Sequence, residues 1–211
     1  MLYPIYLNIG NKLVAIIGGG EVAFRKAKDL IEAGARVRII SPTIHEGIIE
    51  LKNSNIESIN LIQREYSQGD LEGAILVFAA TNDQNINRQV FNEAEGKNIF
   101  INSVDDPPNC SFFVPSMVRR GDFILSVSTS GASPAMAAKL RRLFEEDIPH
   151  NIEDILKSLR EARLTLQEIE GLNPTERGAV LKNIVNDDNL LTNIVEYSKK
   201  NKMKEFIQML I

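Results

Sequence analysis

The chain has 211 residues, 44% of them hydrophobic and 25% charged, a composition that fits one large globular domain, or a medium domain with a smaller appendage. A formal net charge of −4 gives no ground for binding nucleic acid or an anionic membrane, although a local basic patch is compatible with it. One cysteine, Cys110, excludes an intrachain disulfide and a multi-cysteine metal site, which suits a reducing compartment.

The apolar opening MLYPIYLNIG is too short for a membrane span, lacks a basic flank and alternates as a strand does, so the chain is read as cytoplasmic. KLVAIIG is a continuous apolar run suited to a central strand buried on both faces. A helix follows over Val22 to Glu32, its apolar positions at helical period, with Gly34 as its C-cap. ARVRIIS and IESINLIQ supply two further strands, and AILVFAAT a buried fourth. Thr81, Asn82 and Asp83 are the possible caps of a helix running towards Glu95, and NIFINSVD is a fifth strand. This alternation of strands and helices predicts an α/β, Rossmann-like parallel sheet covered on both faces, ending near Cys110.

The pattern then changes. DPPNCS reads as a loop, and FFVPSMVRRGDFILSVSTSG as two strands joined at RRGD, with Pro115 placing the first at an edge or bulge. Ser133 is the predicted N-cap of the next helix, with Pro134 at its first position. Beyond Asn151 the chain reads as helices interrupted near GLNPTERG and NDDN.

Three clusters carry chemistry. Gly18, Gly20 and Ala23 fit G-x-G-x-x-A between a strand and a helix: a tight turn, an open approach for a pyrophosphate, and close helix–strand packing. Gly18, Gly19 and Gly20, with Ser41 and Thr81, are therefore candidate cofactor contacts. The acid that usually binds the adenosine ribose is absent, since Ser41, Pro42 and Thr43 follow the second strand. The motif alone does not separate NAD from NADP, and Arg36 and Arg38 read as solvent-facing or strand-edge charges. Beyond the fifth strand, Asn102, Ser103 and Asp105 should lie near the nicotinamide end of a dinucleotide. Asp105 there suits a general base, or a metal ligand; the alternative is that Asp105 or Asp106 caps the turn before Pro107. The third cluster, STSGASP, offers hydroxyls and a helix N-terminus to an anion, and the stretch from Arg119 to Arg142 holds five basic residues and one acid, Asp122. The alternative is a helix cap with solvated arginines. His45 and His150 have no partner at metal-ligand spacing and read as surface residues; Cys110 has no histidine nearby in sequence and reads as incidental.

In order and spacing, YPIYLNIGNKLVAIIGGGEVAFRKAKDLIEAGARVRIISP, AATNDQNINRQV, NSVDDPPNCSFFVPS and LSVSTSGASPAMAAKLR resemble the precorrin-2 dehydrogenases of siroheme synthesis, including the bifunctional dehydrogenase/ferrochelatases. The resemblance implies oxidation of precorrin-2 to sirohydrochlorin with NAD+ as hydride acceptor, and leaves open the insertion of Fe2+, for which Asp105 would be the metal residue. It implies cofactor contacts at Glu21, Val22, Pro42 and Thr43, and gives Asp105 the catalytic role. The carboxylate-rich tetrapyrrole gives a purpose to Arg119, Ser128, Thr129, Ser130, Gly131, Ser133 and Lys139 as substrate-binding residues. It further implies a homodimer and three parts: an NAD-binding domain over 1–111, a dimerisation and substrate-binding segment over 112–149, and a helical domain over 150–211. The methyltransferase domain of the larger fused enzymes is not expected in a chain of this length. Two other readings of the same residues are a non-catalytic NAD-sensing module and a Rossmann oxidoreductase acting on another anionic metabolite.

Overall fold

The computed structural model describes residues 2–211 and divides into two compact units, Met1–Val114 and Pro115–Ile211. In the first unit, β1 (Leu13–Ile17), β2 (Arg36–Ile40), β3 (Ile59–Ile62), β4 (Leu76–Ala79) and β5 (Phe100–Ser103) form one parallel sheet in the order β3-β2-β1-β4-β5. The predicted α/β architecture is thus observed. Side chains alternate across the sheet: Val14 and Ile16 pack with Ala23, Ala27 and Leu30 of α1 (Glu21–Glu32) and Ile48 of α2 (Glu46–Ser54). Ala15 and Ile17 pack with Val90 and Ala94 of α3 (Gln84–Gly96) on the other face. Each large aliphatic side chain so buried contributes about 1.5–3 kcal/mol, which is why a run as apolar as LVAII settles at the sheet centre.

Three local expectations change. The N-terminal alternation does not make a strand: residues 2–8 have no regular structure, and Leu2, Tyr3, Ile5, Tyr6 and Leu7 are exposed. Period-two patterning becomes a strand only where a neighbouring edge completes the ladder. The first helix is capped by Ala33, with Gly34 following in the left-handed region at φ 78°. The short helix α2, which periodicity did not suggest, is started by the side chain of His45.

The second unit contains the antiparallel pair β6 (Ser116–Arg120) and β7 (Phe123–Val127), joined by Gly121 and Asp122 as RRGD predicts. Then come α4 (Pro134–Glu146), α5 (Ile152–Glu168), α6 (Pro174–Asn186), α7 (Asp188–Lys199) and α8 (Met203–Gln208). The last four helices share a core of Ile155, Ala162, Leu166, Ile184, Ile194, Met203, Phe206 and Ile207. Among the described residues, no helix is long and apolar enough to cross a membrane.

Candidate dinucleotide-binding site

From β1 the chain steps outward to β2 and β3, then returns to place β4 on the other side of β1. The two crossovers leave in opposite directions, so a crevice opens beyond the carboxyl ends of β1 and β4. A cleft of about 420 Å³ lies there, walled by Gly18, Gly19 and Gly20, by Ser41, Pro42 and Thr43, by Glu65 and Tyr66, and by Ala80, Thr81, Asn82, Asp83 and Ile86.

The glycines are required by close approach. A Cβ on Gly18, at φ 120°, would lie 2.2 Å from the Ala80 carbonyl oxygen, and one on Gly19 would lie 2.2 Å from the Thr43 carbonyl oxygen. Gly20 differs, because a Cβ there meets nothing within 4 Å. Gly20 is the N-cap of α1, and no side chain caps the first turn. Open space in front of uncapped helix N–H groups fits a pyrophosphate, which the helix dipole favours. Ala23 is fully buried in the core, so α1 sits close on β1.

The other walls are tied by side-chain hydrogen bonds. The Thr81 hydroxyl donates to Asn87 Oδ1 at 2.8 Å, and Asn87 Nδ2 donates to the Thr81 carbonyl at 3.0 Å. Asp83, one of three possible caps in the sequence, is the cap used; its carboxylate accepts from the N–H groups of Asn85 and Ile86. Tyr66 donates its hydroxyl to Glu93, which also accepts from Gly69 N–H at 3.0 Å and pairs with Lys97 at 3.1 Å. Burial works against the Glu93 anion, yet the Tyr66, Gly69 and Lys97 donors outweigh it and hold the carboxyl below its ordinary range. Sequence reasoning missed Glu65 and Tyr66, which follow β3, and Ile86, in the first turn of α3, as wall residues; for the first two, their place beyond a strand's carboxyl end was the available signal.

Of the predicted cofactor contacts, Gly18, Gly19, Gly20, Ser41, Pro42, Thr43 and Thr81 come together in the cleft. Glu21 and Val22 open α1 just beyond it, with the Glu21 carboxylate 3.1 Å from His45 Nε2. Asn102 lies outside the lining; its Nδ2 donates to the Phe112 carbonyl at 3.0 Å. Arg38 is not a free charge, since it donates to the carbonyls of Asp70 and Glu72.

The loop after β5 is stitched together by residues other than Asp105. Asn109 donates to the Asp106 carboxylate at 2.6 Å, so Asp106 serves the turn. The Cys110 thiol donates to the Ser103 carbonyl at 3.2 Å and accepts from Ser103 N–H at 3.2 Å. Burial pushes that thiol up, which suits a structural group rather than a nucleophile. Asp105 is exposed, in the left-handed region at φ 59°, and its side chain forms no hydrogen bond or ion pair among the described residues. It is available for chemistry.

In the second unit, the loop before α4 uses its hydroxyls internally. Ser128 Oγ accepts from Ser130 N–H, Thr129 Oγ1 from Ser133 N–H, and Ser133 Oγ from Met136 N–H. Ser130 and Gly131 both have positive φ. Arg120 is tied to the carbonyls of Ile148 and Pro149, whereas Arg119, Lys139 and Arg142 are exposed and form no ion pair among the described residues. Among the described residues, no three His, Cys, Asp or Glu side chains gather where they could hold a metal ion.

Comparison with known proteins agrees with this geometry. The family model "Putative NAD(P)-binding" matches residues 5–116. A siroheme synthase of Pseudoalteromonas translucida is 39% identical over 149 residues, 71% of this chain and 31% of that protein. One from Acinetobacter baylyi is 33% identical over 198 residues, 90% of this chain and 43% of its own length. The chain thus spans less than half the length of these relatives. A solved structure titled "SirC, precorrin-2 dehydrogenase" superposes with a TM-score of 0.79 over 99% of this chain and 98% of that one at 23% identity, which establishes the shared fold. With over half its length matched by the family model, the chain belongs to this NAD(P)-binding family and is a relative of siroheme synthases.

Proposed function

We propose that the chain is an NAD-dependent precorrin-2 dehydrogenase, oxidising precorrin-2 to sirohydrochlorin. The observation that carries this reading is the glycine-walled cleft at the β1/β4 switch, in a chain whose relatives are siroheme synthases and whose fold is that of a precorrin-2 dehydrogenase. NAD+, when bound, supplies the hydride acceptor.

The chain's own residues do the rest. Gly18, Gly19, Gly20, Glu21, Val22, Ser41, Pro42, Thr43, Thr81 and Asn102 are assigned to the cofactor. Asp105 takes the proton released from substrate carbon as the hydride departs; an exposed, unpartnered carboxylate is free to accept it. Arg119 and Lys139, with the Ser128, Thr129, Ser130, Gly131 and Ser133 loop, receive substrate carboxylates. Positive charge and helix N–H groups suit that anion. The working form is a homodimer in the cytoplasm. Ferrous iron is a second substrate if the chain also metallates sirohydrochlorin, with Asp105 as the metal residue.

Incubation with NAD+ and precorrin-2 tests the reading through the spectra of sirohydrochlorin and NADH. Asp105→Asn is expected to lower kcat by about 10²-fold or more with NAD+ affinity intact; full turnover in that variant removes Asp105 from the mechanism. Adding Fe2+ to the same assay tests metallation against an enzyme-free control.

A further inference from the structure

Two neighbouring acids follow β5, and the loop treats them differently. Asp106 is half-buried and tied through its N–H, its carbonyl and its carboxylate. The N–H donates to the Ser103 carbonyl at 3.3 Å, the carbonyl accepts from Asn109 N–H at 3.0 Å, and the carboxylate accepts from Asn109 Nδ2 at 2.6 Å. Asp105 is exposed, and its carboxylate has no partner among the described residues.

The free acid stands in the left-handed region, at φ 59°, a conformation that persists where the surrounding chain holds it. The residues after it supply that hold. Pro107–Asn109 form a single 3₁₀ turn, and Cys110 N–H donates to the Pro107 carbonyl at 3.2 Å. Cys110 Sγ then returns to Ser103, the last residue of β5, bonding both its N–H and its carbonyl, and lies 3.4 Å from the Asp106 carbonyl. The loop therefore begins and closes on the same residue, and the Asp106–Asn109 bond spans it immediately beside Asp105. A hydrogen bond to a carboxylate is stronger than a neutral one, which suits a tie that fixes its neighbour's backbone.

We propose that Asp106 is a positioning residue for the dehydrogenation: by holding Asn109 it fixes the loop, and with it the direction in which Asp105 presents its carboxylate to the substrate carbon. This inference rests on Asp105 being the proton acceptor proposed above. A general base works only within hydrogen-bond reach of the proton it takes, and a displacement of about 1 Å costs up to about 10²-fold in rate, so a loosened loop is felt at the chemical step. A residue that merely supported the fold would act on stability and on every kinetic constant alike, so the test must separate positioning from support.

Steady-state oxidation of precorrin-2 by the full chain, followed through NADH, makes that separation. Asp106→Ala and Asn109→Ala break the same bond from its two ends, and each should lower kcat by about tenfold while KM for both substrates stays within about twofold. Asp106→Asn keeps an oxygen that accepts from Asn109 and removes only the charge, so it should hold kcat within about twofold of the wild type. Added to Asp105→Asn, Asp106→Ala should cost nothing further, because the group it aims is already gone. The proposal is overturned if both alanine variants keep full kcat, if Asp106→Asn loses as much as Asp106→Ala, or if the loss from Asp106→Ala adds in full to that from Asp105→Asn. Should Asp106→Ala not fold, Asn109→Ala carries the same comparison. Full turnover in Asp105→Asn removes the base and this inference together, whereas a crippled Asp105→Asn beside fully active Asp106 and Asn109 variants removes this inference alone.

Discussion

Asp105 occupies a backbone conformation that few residues tolerate. At φ 59° an L side chain is strained unless it is glycine, asparagine or aspartate, whose short polar groups are accommodated there. Asp105→Asn and Asp105→Gly should therefore keep the melting temperature while removing the proposed base. Asp105→Val should cost about 1–2 kcal/mol of stability, read from denaturant unfolding. Gly18 is more demanding, with φ 120° and the Ala80 carbonyl where a Cβ would go. Gly18→Ala is expected to cost about 2–4 kcal/mol and to abolish dinucleotide binding in the same preparation. Both positions were legible in the sequence as chemistry, one as part of a glycine motif and one as an acid beyond a strand. Their dihedral angles were not, because they depend on how the flanking strands close. Nor was the division of labour between Asp105 and Asp106, which is decided by a single donor, Asn109.

At the scale of elements, the five parallel strands were legible because each is a short apolar run with a helix or a turn beside it. The reading failed where pattern and partner separate, as in the exposed residues 2–8. It also missed links between distant positions. Tyr66 and Glu93 are 27 residues apart, and nothing local announces that one holds the other. That link has a pH signature. Glu93, ordinarily at 4.5, and Asp70, ordinarily at 3.8 and lowered by its hydrogen bond from Arg64 against the cost of burial, both ionise more readily when folded. Their contribution is fully present above the ordinary values and is lost as pH falls through the lower folded ones. Glu93→Gln should flatten this acid limb and cost about 1–3 kcal/mol near neutrality, measured by unfolding across a pH series. Tyr66 is pushed upward, by burial first and then by Glu93. Its contribution is present below its ordinary value of 10.0 and is lost as pH rises towards the higher folded one.

For the whole molecule, the division falls after Val114, where the last parallel strand and its loop have ended. The strand pair and the helices beyond it form one compact unit, and the role of α5 to α8 was not legible because an amphipathic pattern reports burial without reporting purpose. On α4, Met136 and Leu143 are seven residues apart and therefore share a face; with Phe144 they are nearly half exposed, and Met117 of β6 is also exposed. The proposed homodimer would cover such a surface. A Met136→Glu, Leu143→Glu double variant should sediment as a monomer where the parent sediments as a dimer. Saturating NAD+, at about one hundred times its dissociation constant, should stabilise the first unit by about 2.7 kcal/mol.

Every wall residue of the cleft falls between Ile17 and Ile86, and the parallel ladder is complete by Ser103. In sequence order, every residue of the dinucleotide crevice and of the parallel ladder therefore leaves the ribosome ahead of the second unit. Cellular NAD+ can then act on the nascent chain as a folding ligand, committing the N-terminal sheet to its native register while the remaining helices are still being synthesised.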